Sequence, residues 1–68
     1  MRFTMKRKQN GYDFYNKYSE CVAYIIVDLR RRNPYRVFMK DSMRNCFVND
    51  SCFESATKAI NFVQGLTD

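Results

Sequence analysis

The chain predicts a single α+β domain spanning residues 1–68: a small antiparallel β-sheet of about three to five strands packed on one C-terminal α-helix. Three observations carry this. Cys21 to Leu29 is rich in β-branched and aromatic residues, and its near-continuous apolarity marks a central strand. Tyr35 to Lys40 sets Arg36, Phe38 and Lys40 against Val37 and Met39, the period of a half-buried strand. After Ser51, Phe53, Ala56, Ile60 and Val63 recur at helical spacing. Strands followed by a helix fold as two layers.

The first twenty residues fit two patterns. Phe3 and Met5 alternate with polar residues, and Asn10-Gly11 is a type I′ hairpin signal, so Arg2–Lys8 can pair with Tyr12–Tyr18. Tyr12, Tyr15, Tyr18 and Val22 also fit one face of a helix; the hairpin is the preferred reading. Asn33-Pro34 breaks the chain after the apolar strand, because proline cannot continue a ladder. Asp41-Ser42 is a second turn, and Arg44 to Val48 a short further strand. Ser51 with Glu54 forms a capping box that starts a helix over 52–64, with Glu54, Thr57, Lys58, Asn61 and Gln64 on its polar side. Gly65 is placed to end it as a left-handed C-cap.

Charge is unevenly divided. Residues 1–44 hold eleven of the twelve Lys and Arg against four acids, a balance of +7, whereas residues 45–68 sum to −2. One cluster comprises Arg2, Lys6, Arg7 and Lys8; the other comprises Arg30, Arg31, Arg32, Arg36, Lys40 and Arg44. Such asymmetry produces a one-sided positive field that attracts polyanions, although a solvated surface that keeps the chain soluble has the same composition. Nothing approaches the ~20 apolar residues of a membrane-spanning helix. Residues 1–10 lack the apolar segment of a secretory signal, so a cytoplasmic location is expected.

The expected chemistry is binding, not catalysis. Without histidine the commonest general base is missing, and the seven carboxylates are scattered through turns and caps. Cys21, Cys46 and Cys52 are an odd number among apolar neighbours with no close pairing, which predicts a reducing compartment, core thiols and neither metal nor cofactor. Cys52, in the first turn of the expected helix, is the one thiol a helix dipole would acidify. Eleven aromatic residues are a heavy load for so thin a core. If Phe38 faces away from the helix it shares the outer sheet face with Arg36 and Lys40, and Tyr24 can join it; cross-strand packing pairs or a dimer interface are the plainer explanations. Aromatics interleaved with cations suit nucleic acid, rings stacking on bases and cations meeting phosphates.

From Tyr12 onward the order of elements resembles a double-stranded-RNA-binding domain if residues 12–20 are helical. Ser55-Ala56-Thr57-Lys58-Ala59-Ile60 resembles that family's second helix. The family's basic cluster at the start of that helix is replaced here by Asn49-Asp50-Ser51 and Glu54, so the resemblance implies topology and transfers no binding residues. Three strands and a helix are also similar in outline to integrase arm-type DNA-binding domains. Taken whole, the chain's short, basic, Tyr-, Phe-, Asn-, Met- and Cys-rich composition resembles the small early proteins of tailed bacteriophages. That resemblance implies a host-takeover or anti-defence role in the host cytoplasm.

The leading expectation is a non-enzymatic nucleic-acid-binding module, RNA slightly favoured over DNA. Phosphate contacts would come from Arg30, Arg31, Arg32, Arg36, Lys40 and Arg44, extended by Arg2, Lys6, Arg7 and Lys8; Tyr24, Tyr35 and Phe38 are the stacking residues. The alternative is a phage-encoded inhibitor that binds a host protein stoichiometrically. A homodimer or small oligomer is expected, because a chain of this size has a thin core and an open sheet leaves two edges unpaired.

Overall fold

The computed structural model describes residues 3–65. Five strands, β1 (Thr4–Lys8), β2 (Gly11–Tyr15), β3 (Cys21–Val27), β4 (Tyr35–Asp41) and β5 (Cys46–Phe53), precede one helix, α1 (Ala56–Gln64). The strands form one antiparallel meander in the order β1-β2-β3-β4-β5, with the apolar β3 at its centre. Among the described residues no helix is long and apolar enough to cross a membrane.

The N-terminal hairpin forms, and the helical reading of residues 12–20 does not. Lys8 pairs with Gly11, so the two-residue loop is Gln9-Asn10, one position earlier than a type I′ Asn10-Gly11 turn requires. Gly11 instead opens β2 with a φ of 155°, and a Cβ there would lie 1.8 Å from the Ile25 carbonyl oxygen. The glycine is needed because the β3 backbone passes against it. At the other end of the sheet, the Asn16 carboxamide oxygen accepts from the Tyr18 and Glu20 amides, allowing Ser19 its positive φ. Asp41 does the same for Met43 and Arg44 before the left-handed Asn45.

The largest departure from expectation lies between residues 46 and 55. The strand expected over Arg44–Val48 begins at Cys46 and runs on to Phe53, and α1 starts four residues later than the Ser51–Glu54 pattern implies. Ser51 pairs with Val37 in the sheet, and its hydroxyl bonds to Asp50; the N-cap is Ser55, whose hydroxyl accepts from the Lys58 amide. Cys52 and Phe53 are therefore strand residues, not first-turn residues. Cys52 does not stand at a helix N-terminus, and Cys46 is exposed instead of buried. Gly65 caps the helix as expected, at φ 72°.

The core is Phe14, Ala23, Ile25 and Val37 from one face of the sheet, sealed by Ala59 and Val63 of α1. Phe53 meets Phe62 with ring centroids 5.2 Å apart. Gln64, polar and expected outside, is fully buried. Its Nε2 donates to the Phe3 carbonyl at 3.0 Å and its Oε1 accepts from the Phe3 amide at 2.8 Å. Both ends of the amide are thereby satisfied, which is the condition for burying it.

Candidate functional site

One helix covers one face of a five-stranded sheet, and among the described residues no element covers the other face. Strand alternation fixes what stands on it. Val37 is buried against α1, so its neighbours Arg36 and Phe38, and Lys40 beyond, point outward. Tyr24 pairs with Phe38 across β3 and β4 and stacks on it, centroids 4.8 Å apart and planes 11° from parallel. Phe47 of β5 meets Tyr24 edge-on at 5.0 Å. These three rings form a patch across the middle of the face, and Tyr15 of β2 adds a fourth toward β1.

Cations frame the rings. The Lys8 ammonium lies 5.2 Å from the Tyr24 centroid, Lys6 5.2 Å from Tyr15, and the Arg36 guanidinium 5.3 Å from Phe38. Lys8 also pairs with Asp13 at 2.8 Å, so part of its charge is already met. Among the described residues Lys6, Arg36 and Lys40 have no acidic partner. The Arg36 Nε is buried without a hydrogen-bond partner, so the guanidinium retains unsatisfied donor capacity beside the rings. Tyr15 feels the surroundings too: burial first, then the Asp13 charge, raises its phenol above the ordinary range.

The expected site residues divide into three groups. Lys6, Lys8, Arg36, Lys40, Tyr24 and Phe38 share the open face. Arg30, Arg31 and Arg32 sit in the loop after β3, and Arg44 in the turn after β4, at opposite ends of a seven-residue strand that spans roughly 20 Å. The triple arginine is also less available than its sequence suggests. Asp28 accepts from Arg30 Nε at 3.1 Å, Arg30 Nη2 at 3.4 Å and the Arg30 amide at 3.2 Å, and lies 3.6 Å from Arg31 Nε. These Arg30 contacts hold the Asp28 carboxyl below its usual range. Arg44 is similarly engaged by Asp41 at 3.6 Å.

Tyr35 is on the wrong face for stacking beside Phe38: it packs toward the core, two residues from Val37. Arg7, cross-strand from Tyr12, also belongs to the helix side. Arg2 lies outside the described residues. Tyr15 and Phe47 were not among the expected stacking residues. Tyr15 was legible from its alternation with Phe14, whereas Phe47 needed the β4–β5 register, in which it pairs with Lys40.

No protein family, curated protein or solved structure matches the chain.

Proposed function

We propose that the protein is a non-enzymatic nucleic-acid-binding module that receives a single strand, RNA in preference to DNA, across its open sheet face. One observation carries this reading: the Tyr24–Phe38–Phe47 cluster lies partly exposed beside Lys8, Arg36 and Lys40, with Lys6 over the neighbouring Tyr15. Rings that remain accessible beside cations offer stacking surfaces for bases and counter-charges for the intervening phosphates. Arg30, Arg31 and Arg32 contribute at most at the margin, since Asp28 engages two of the three.

Fluorescence anisotropy with a labelled single-stranded RNA tests it. If about four cations each meet a phosphate, the log–log slope of affinity on salt is about −3. Reversing Arg36 and Lys40 to Glu abolishes binding, whereas reversing Arg30 and Arg31 weakens it modestly. A slope near zero, or indifference to the Arg36 and Lys40 reversal, ends the proposal.

A second reading, the stoichiometric protein-binding inhibitor, draws on Met43, Phe47 and Val48, exposed apolar residues of the β4–β5 hairpin. The same hairpin is where self-association is expected. The β1 edge carries Lys6, Arg7 and Lys8, which repel a second copy, while Asp50 is the one charged residue of β5. Light scattering in high salt is expected to return twice the mass of the chain, and Phe47→Lys to return it to the single-chain value.

A further inference from the structure

On the helix side, α1 packs mainly across β4 and β5, and Gln64 holds Phe3 just before β1. At the opposite end of β1 and β2 a cleft of about 310 Å³ opens between the β1–β2 turn and the β3–β4 loop. Its lining includes Tyr12, Tyr35, Val27 and Leu29 with Arg7 and Lys8; among the described residues no residue of α1 and no carboxylate lines it. The walls are held in place: the Val27 amide donates to the Asn10 carbonyl at 2.8 Å, and the Asp28 amide to the Pro34 carbonyl at 2.9 Å. Gly11 permits this close seating of the turn on β3.

The combination is selective. Two tyrosine rings that rest partly on the core and partly on the cleft offer flat apolar surface to a planar group. Arg7, exposed and without an acidic partner among the described residues, offers a two-pronged donor to an anion. The volume is at the small end of the range for small-molecule sites, too small for a folded partner. An aromatic base joined to a phosphate meets each of these surfaces at once.

We infer that this cleft is a second binding site, specific for a single nucleotide: the base rests against Tyr12 and Tyr35, and the phosphate meets Arg7. The ligand's source is either a free mononucleotide or the 5′-phosphorylated end of a strand, and the second case rests on the proposed strand binding at the open face. The site itself does not: Tyr12, Tyr35 and Arg7 stand on the other side of the sheet, and of the lining residues Lys8 alone also borders the open-face rings.

Titration of ¹⁵N-labelled full-length protein with adenosine 5′-monophosphate decides it. Saturable shifts are expected at Arg7, Gly11, Tyr12, Val27 and Tyr35, with the resonances of Tyr24 and Phe38 unmoved. Adenosine alone and inorganic phosphate alone each bind at least about tenfold more weakly, and Arg7→Glu weakens the nucleotide by a similar factor, the loss of one charge-assisted contact. Phe38→Ala leaves the nucleotide titration unchanged, which separates this site from the open face. A 5′-phosphorylated RNA that outcompetes its 5′-hydroxyl counterpart in an Arg7-dependent way identifies the strand end as the source; equal competition identifies the free nucleotide. Shifts confined to the open face, no shifts at all, or full affinity in Arg7→Glu overturn the inference.

Discussion

On the helix side of the sheet Phe14, Ile25 and Val37 have no solvent exposure, whereas on the opposite side Tyr15, Tyr24 and Phe38 remain half-buried and Phe47 is 36% exposed. The first set meets α1 and so removes its whole surface from water. In the second set Tyr24 meets Phe38 and Phe47, and the charged groups of Lys6, Lys8 and Arg36 lie over Tyr15, Tyr24 and Phe38. Burial stabilises in proportion to the apolar area removed from water, so the partly exposed set contributes less per ring than the fully covered one. The difference teaches that aromatic content in a small sheet protein has to be assigned face by face: the covered rings account for stability, and the open ones are available for a ligand.

The sharpest way to break this comparison is Phe14→Ala. It removes the largest fully buried side chain from a thin core and is expected to cost about 3–5 kcal/mol, enough to unfold much of the population at room temperature. Retention of the parent's denaturant midpoint would show that the covered face is not where stability resides. Phe38→Ala is the matching change on the open face. It is expected to leave the folding midpoint within about 1 kcal/mol of the parent, since it deletes one stacked pair, and to weaken strand binding by about 1–3 kcal/mol. A variant that unfolds instead would place that ring in the structural set. The smallest contrast is between two serines: Ser55→Ala is expected to cost about 1 kcal/mol through the lost N-cap bond. Ser51→Ala, which removes only a side-chain contact to Asp50, shifts the melting temperature little. Equal losses at both would return the helix start to Ser51.

Much of this arrangement was legible in the residues, for reasons that can be stated. The central strand is visible because β3 is apolar on both faces, and β4 because its alternation is regular. The C-terminal boundary at Gly65 is visible because a left-handed cap requires what glycine provides. The helix start was misplaced because Ser51 and Glu54 satisfy a local pattern, while pairing of Tyr35 with Phe53 and of Val37 with Ser51 extends β5 through the same residues. Ladder bonds and burial of Phe53 outweigh one cap, and Ser55 supplies a cap anyway. For the candidate site, Tyr24 and Phe38 follow from alternation within a strand. Tyr35 was misassigned against that same signal, since it shares the parity of Val37. Phe47 depends on cross-strand register, and the Asp28 contacts on how a loop folds back, and neither is a property of nearest neighbours in sequence.

The Gln64–Phe3 clasp has a consequence for the order in which the protein assembles. Every strand of the meander pairs with its neighbour in sequence, so the sheet can zip hairpin by hairpin with little chain entropy to overcome at each step. The clasp is different in kind: it joins residues 61 apart and requires both the first strand and the last helical turn to be in place. It therefore closes late. A contact absent from the rate-limiting step of folding leaves the folding rate alone and slows unfolding, so two hydrogen bonds at the chain ends act as a latch that sets the lifetime of the native state more than the speed of reaching it.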